Sequence, residues 1–420
     1  MLTSDVNMSF VARLLKFLPE PSFFRENKSI KIKRLYCDVI EGALKPLRNG
    51  SCSEVDSICA KRTLVRIGVV YDLVYACLHT GEWHAVPREE REVFTIVCYL
   101  RIIYMLIHSA DSFENVGNAI FIADIGIMLG CKVKIDIDGN ECDLLTQVAS
   151  VLSEGRDNLK DAPPLKKLKI DSDCSAADNC DVPVVFQPSV EYFGSEHYDK
   201  REPLLLRGII DDWPAMQKWH DPNYLVGLAG ERTVPVEIGS QYSSEDWSQR
   251  LVRFKDFIVD NLNPEGKDDD SDNENRRAYL AQHELFDQIP ELRKDIHVPD
   301  YIGRTDVNPR IKAWLGPKGT ISPLHTDPSH NLLCQVFGSK TIILASPEDT
   351  PNLYPHEHFI LANTSRLDMK NIDYDQFPLV RAVRLRRLEL RRGEVLYIPP
   401  GWWHYVESLA PSFSVSFWFE

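Results

Sequence analysis

Residues 412–419 read Ser-Phe-Ser-Val-Ser-Phe-Trp-Phe. In an extended strand alternate side chains point to opposite faces, so Ser412, Ser414, Ser416 and Trp418 share one face and Phe413, Val415 and Phe417 the other. A face packed for stability alone carries bulk, whereas small hydroxyls at alternate positions leave room for a ligand. Outward from this strand, short runs rich in Val, Ile, Phe and Trp recur through the C-terminal half, among them PVEIG, RIKAWLG, TIILASP and EVLYIPP. Each is closed by Gly or Pro, and that spacing predicts an antiparallel β-sandwich or barrel from Pro183 onward.

The preceding half has a different texture. From about Leu35 to Val151 apolar residues recur three and four apart, as in Leu64, Ile67, Tyr71, Val74 and Cys77, which predicts helices. Paired helices of this kind more often offer surfaces to protein partners than carry chemistry. Nine of the ten cysteines precede residue 181, a further sign of two unlike halves. The expected organisation is α+β, with a helical, repeat-like interaction domain over 1–153, a flexible linker over 154–182 and a β domain over 183–420. Residues 263–275, dense in Asp and Glu, read as a disordered insertion.

Charge and composition exclude several functions. With 48 Lys+Arg against 62 Asp+Glu the net charge is −14, so direct nucleic-acid binding and attraction to anionic membrane are not expected. The most apolar stretch, Val93 to His108, is short for a membrane span and carries Arg101, so a buried helix is expected. The N-terminus shows no secretion signal, the thiols are expected to be reduced, and without a CxxC a zinc knuckle is not expected. Lys166, Lys167 and Lys169 fit either a solvated linker or a nuclear-import patch. Six arginines between Arg381 and Arg392 fit either a basic stripe for an acidic partner or a solvated sheet edge.

The residues with chemistry lie in Ser322-Pro-Leu-His325-Thr-Asp327. On a strand His325 and Asp327 project to one face. Seventy-seven residues later Pro399-Pro-Gly-Trp-Trp-His404 supplies a rigid turn and a third ligand. Two imidazoles and a carboxylate on one face hold Fe(II) while leaving positions for a chelating cosubstrate and O2. Lys340, thirteen residues past Asp327 on an adjacent strand, would meet the distal carboxylate of a keto acid, with an outward surface lysine as the competing reading. His356 and His358, in YPHEHF, have loop-like flanks and no carboxylate motif, and are not expected to bind metal.

Together with PLLLRGIIDDWPA, YLAQHELFDQIPEL and AWLGPKGTISPLHTD, the motif IPPGWWHYV resembles the jumonji-C family of Fe(II)/2-oxoglutarate oxygenases. The likeness runs from about Pro183 to Glu420, and is narrowest to a branch regarded as arginyl C3-hydroxylases. It implies a double-stranded β-helix (jelly-roll, cupin-like), Fe(II) at His325, Asp327 and His404, and O2 as second cosubstrate. It implies that Tyr279, Ser322, Asn331, Lys340 and Trp418 line the 2-oxoglutarate pocket. Glu237, with Gln282 and Trp314, matches the family's arginine pocket, which agrees with the preference of a guanidinium for a carboxylate and an aromatic face. The chain departs from the family pattern near Gly401-Trp402 and in the arginine-rich run. The implied partner is a protein or peptide presenting arginine, with histone tails and ribosomal or chromatin-associated proteins as candidates, in the nucleus or also the cytoplasm. The rival readings are a histone methyl-lysine demethylase using the same site and an inert binding scaffold.

Overall fold

Periodic apolar residues draw the N-terminal half into helices whose stripes need a common core. The computed structural model describes residues 2–21, 34–48, 57–80, 85–108, 113–154, 165–168, 180–239, 247–262, 277–303, 308–358 and 361–420. Contacts divide the chain into two units, Met1–Asp157 with 231–233 and 287–289, and the remainder.

The first unit contains α1 (Leu2–Leu14), α2 (Arg34–Arg48), α3 (Ser57–Leu78), α4 (Arg88–His108), α5 (Phe113–Leu129) and α6 (Leu144–Ser153). The apolar run expected as a buried helix is α4, with almost every side chain from Glu92 to Ile107 out of water. Its tyrosines donate to backbone carbonyls, Tyr99 to Leu14 at 2.9 Å and Tyr104 to Ala43 at 2.7 Å. Among the described residues no helix is long and apolar enough to cross a membrane. The all-helical expectation for Leu35–Val151 needs one correction. Between α5 and α6 lies an antiparallel hairpin of β1 (Lys134–Ile137) and β2 (Asn140–Asp143). Its turn, Asp138-Gly139, has φ of 53° and 83°, the two left-handed positions of a type I′ turn.

Asp124, wholly buried in this unit, accepts from Arg232 Nη2 at 2.6 Å, the Thr233 backbone N–H at 2.7 Å and Gln288 Nε2 at 2.7 Å. Removing one partner leaves the other charge uncompensated, a cost of about 3–5 kcal/mol. Asp124→Ala is therefore expected to lower the chemical-denaturation midpoint sharply, and an unchanged midpoint would contradict this assignment.

The second unit is built on strands β3 (Val184–Phe186), β4 (Leu204–Arg207), β5 (Thr233–Ile238), β6 (Ser248–Arg253), β7 (Ala278–His283), β8 (Arg310–Gly316), β9 (Ile321–Thr326), β10 (His330–Phe337), β11 (Lys340–Ala345), β12 (Arg386–Leu390), β13 (Val395–Ile398), β14 (Trp403–Ser408) and β15 (Ser412–Phe419). One sheet runs β3-β4-β13-β10-β15-β8-β7-β5-β6 and the other β12-β11-β14-β9. From β8 to β11 and again from β12 to β15 the chain winds between the two sheets, which makes the double-stranded β-helix. Leu333, Ile342, Leu344, Leu390, Leu396 and Val406 fill the space between them.

Two pieces of the expected linker are described, and both are held. Leu165 and Leu168 are buried; Leu168 N–H donates to His220 O at 2.9 Å and Asn223 Nδ2 to Leu165 O at 2.8 Å. Lys167, part of the candidate import patch, pairs with Asp221 at 3.2 Å. The Asp181 N–H donates to Arg387 O at 3.1 Å and the Arg387 N–H to the Asp181 carboxylate at 2.9 Å, covering the edge strand β12. The rest of the linker, and the acidic insertion 263–275, lie outside the described residues. The arginine-rich run is a sheet edge with separately engaged side chains: Arg386 pairs with Glu202, Arg391 with Glu389, and Arg392 donates to Met216 O. That arrangement favours the edge reading over a stripe.

Candidate active site

Alternation decides which side chains enter the interior. Leu324, Ile343, Ala345, Trp403 and Tyr405 pack in a cluster on the outer face of the four-stranded sheet, so the intervening His325, Lys340 and His404 face inward. β9 and β14 pair with His404 directly opposite His325. The Pro-Pro-Gly turn that delivers His404 is anchored by Gly401, whose N–H donates to the Asp327 carbonyl at 2.9 Å with φ of 78°, a conformation that favours glycine. The far edge of β9 is tied down by Ser365 N–H to Leu324 O at 2.8 Å and Thr326 N–H to Asn363 O at 2.9 Å.

The ligand atoms of His325, Asp327 and His404 lie within 4.8 Å of one another, and among the described residues no other group of this kind forms. His356 and His358 belong to no such group. Asp327 Oδ2 stands 3.6 Å from His404 Nε2. Each imidazole Nδ1 faces a carbonyl, Pro323 O at 2.7 Å and Trp402 O at 3.0 Å. A carbonyl only accepts, so Nδ1 carries the proton and Nε2 offers its lone pair to a metal. Burial, then the neighbouring His404, push His325 down to about 4. Burial opposes ionisation of Asp327, but the neighbouring imidazoles and the Arg310 guanidinium hold its carboxyl below the usual range. Neutral imidazoles and an ionised carboxylate are the forms that bind a divalent metal.

Beside the triad, Tyr279, Trp314, Ser322, Asn331, Lys340 and Ser416 line one cavity with all three ligands. Lys340 is 1% exposed, and burial drops its ammonium to about 7. Its Nζ reaches Tyr279 Oη at 3.4 Å, a long contact that leaves the charge poorly compensated. On the neighbouring β10 and β15, Asn331 and Trp418 are register partners. Asn331 Oδ1 and Trp418 Nε1 are both buried without a hydrogen-bond partner. A buried cation and two orphaned polar atoms around a triad fit a small polar acid better than an apolar guest. The free space is about 20 Å³, room for one water, so a five-carbon diacid enters only as lining side chains give way.

Comparison with known proteins agrees with this geometry. Residues 189–420 match the family model described as a cupin-like domain. The chain is 44% identical over 370 residues to Jumonji C domain-containing protein 5 of Drosophila melanogaster, covering 86% of this chain and 88% of that protein. It is 38% identical over 362 residues to lysine-specific demethylase 8 of Danio rerio, covering 84% and 87%. It is 34% identical over 374 residues to lysine-specific demethylase JMJ30 of Arabidopsis thaliana, covering 83% and 84%. The chain belongs to the jumonji-C family. The jelly-roll and the triad together make it a 2-oxoglutarate oxygenase of that family.

A second cavity of the jumonji-C domain, about 270 Å³, is lined by Glu237, Trp247, Arg277, Tyr279, Thr320 and Lys370 among others. Glu237 lies opposite Tyr279 in the β5–β7 ladder, so Tyr279 borders both cavities. Burial raises the Glu237 carboxyl above its ordinary range, with the nearby indole of Trp247 opposing. The bases nearby are engaged elsewhere, Lys370 with Glu407 at 2.9 Å and Arg277 with Gly319 O. Trp247 is a member that sequence reasoning missed: it follows Glu237 by ten residues, and no periodicity links the two.

Not every expected residue joins these sites. Gln282 is exposed, at a left-handed φ of 54° inside a register shift of β7, and lines neither cavity. Trp314 lines the triad's cavity rather than the second, its Nε1 donating to Ser416 Oγ at 2.9 Å. Of the serines expected to leave space, only Ser416 borders a cavity. Ser414 donates to Gln335 of β10 at 2.6 Å, and Ser412 bonds Ser408 of β14 at 3.0 Å, so these two hydroxyls are taken up by neighbouring strands.

Proposed function

We propose that this chain is an Fe(II)- and 2-oxoglutarate-dependent protein hydroxylase whose target is arginine, oxidised at C3. One observation carries the choice of target: the half-buried carboxylate of Glu237, beside Trp247, in a cavity that shares Tyr279 with the triad. A guanidinium forms charge-assisted bonds with a carboxylate and stacks on aromatic faces. A methyl-ammonium is held chiefly by aromatic faces, so a half-buried acid in the cavity favours arginine over methyl-lysine. The relatives named as lysine-specific demethylases keep the second reading in the test.

In this reading His325, Asp327 and His404 hold the iron, and Lys340, Asn331, Trp418, Ser322 and Tyr279 hold 2-oxoglutarate. When bound, that pair couples oxidative decarboxylation to succinate with insertion of one oxygen atom of O2 into a substrate C–H bond. The protein orients and excludes. Nδ1 bonds to Pro323 and Trp402 fix the imidazole planes, Lys340 fixes the acid's far end, and Glu237 fixes the guanidinium so that C3, at the other end of the same side chain, faces the triad. The substrate is a protein or peptide, with basic histone, ribosomal or chromatin-associated segments as candidates. The helical unit binds further protein partners, and the nucleus is the expected site of action.

Mass spectrometry of candidate peptides after incubation with the protein, iron, 2-oxoglutarate and O2 tests the reading. A gain of about 16 Da on arginine supports it, a loss of about 14 Da from methyl-lysine replaces it with demethylation, and no turnover on any peptide favours an inert scaffold.

The Lys340 assignment predicts a proton count. With its ammonium near 7 in the free site, Lys340 is largely neutral at about pH 8.5, and an incoming carboxylate raises its pKa. Binding of 2-oxoglutarate with Mn(II) as a redox-inert metal should take up about one proton at that pH and almost none at about pH 6, with affinity falling as pH rises. Calorimetry in buffers of different ionisation enthalpy measures this. A pH-independent count, or the same count in Lys340→Met, contradicts the assignment.

A further inference from the structure

The outer face of α3 carries a pattern that neither cavity uses. Its inner residues Ala60, Ile67, Val70, Val74 and Leu78 are buried. On the opposite side Ile58, Arg62, Val65, Val69, Asp72 and Ala76 are all exposed, Ile58 to 66%, Val65 to 65% and Val69 to 49%. Successive members are four, three, four, three and four residues apart, the 3.5-residue repeat of a coiled-coil seam. A helix that packs only on its own unit keeps its solvent face polar, whereas this one places β-branched residues at the centre of that face.

The order of residues along the seam says what covers it. About residue 67, Ile58 mirrors Ala76, Arg62 mirrors Asp72, and Val65 mirrors Val69. An antiparallel pair related by a two-fold axis sets each residue against its mirror, so Arg62 meets Asp72 of the second copy at both ends while valines meet at the centre. A parallel pair would set Arg on Arg and Asp on Asp. Neither Arg62 nor Asp72 makes an ion pair among the described residues, so both are available. Gly68, at the flank of the midpoint, has no neighbouring atom within 4 Å of where a Cβ would stand, and leaves that centre open.

We propose that α3 is a homodimerisation helix, pairing antiparallel with α3 of a second copy through Ile58, Arg62, Val65, Val69, Asp72 and Ala76. The inference is independent of what the jumonji-C domain oxidises. One helix pair of this length is smaller than the roughly 800 Å² per partner of a standard interface, so association is expected to be concentration-dependent.

Sedimentation equilibrium of the full chain over about 1–100 μM tests it. The wild type should rise from monomer toward dimer. Arg62→Asp gives a seam with two acids and Asp72→Arg a seam with two bases, so each alone should self-associate at least about tenfold more weakly. An equimolar mixture of the two should regain the dimer, because every acid then faces a base, and the double variant Arg62→Asp/Asp72→Arg should self-associate like the wild type. Misfolded chains would not rescue one another. A wild type that stays monomeric, a dimer indifferent to Arg62→Asp, or a mixture no more associated than its components overturns the proposal.

Discussion

Replacing His325 with alanine is expected to abolish succinate release from 2-oxoglutarate, in the presence or absence of peptide, by at least about 10³-fold. Three groups converge to hold the metal, and the register that sets His404 opposite His325 leaves no described side chain to substitute. His325 shares the inner face of its sheet with His404 and Lys340, and the β9–β14 pairing is made by backbone rather than by its ring, so the smaller side chain costs the ligand rather than the strand. The variant should keep its unfolding midpoint within about 1 kcal/mol and lose bound iron when measured by metal analysis. A His325→Ala protein that retains stoichiometric iron and turnover would remove the triad from the mechanism.

Glu237→Gln is expected to leave the triad chemistry running but uncouple it from arginine. Truncating one partner of a desolvated charge pair costs about 2–5 kcal/mol, which is roughly 30- to several-thousand-fold in kcat/KM for an arginine peptide. Gln keeps the volume, so the β5–β7 ladder and Tyr279 stay in place. Succinate formation without peptide should therefore persist at the wild-type rate, while peptide hydroxylation measured by mass falls. If both fall together, Glu237 acts on the 2-oxoglutarate site through Tyr279 and the target assignment fails. If arginine hydroxylation survives, the guanidinium binds elsewhere.

These outcomes bear on function through a short list of residues, and most of that list is legible in one dimension. His325, Asp327 and His404 stand in motifs whose residue types and turn chemistry already specify an inward-facing ligand set. Asn331, Lys340 and Ser322 are placed by the family resemblance: periodicity leaves an outward Lys340 open, and Ser322, three residues from His325, reaches the same cavity across a register shift of the β9–β14 ladder. Gln282 shows the limit: its strand breaks register and its backbone turns left-handed, and strict alternation no longer holds. Ser412 and Ser414 show a second limit, since a small hydroxyl reads the same whether it lines a cavity or bonds the next strand.

The primary structure by itself determined the division into a helical half and a β half, an antiparallel sandwich or barrel from its strand spacing, and, through motifs that resemble a known family, the jelly-roll and the triad, because each rests on local periodicity or on motifs with fixed geometry. The seam on α3 is also written there, as a heptad with opposed charges, but only the fold decides that this face points to water while Ile67, Val70 and Val74 point inward. Tertiary structure alone decided that Trp247 joins Glu237, that Asn331 Oδ1 and Trp418 Nε1 stand unpaired, and that Lys340 is buried deeply enough to shed its proton near neutrality. Those properties depend on desolvation and on contacts between distant strands, and neither quantity is a function of neighbours along the chain.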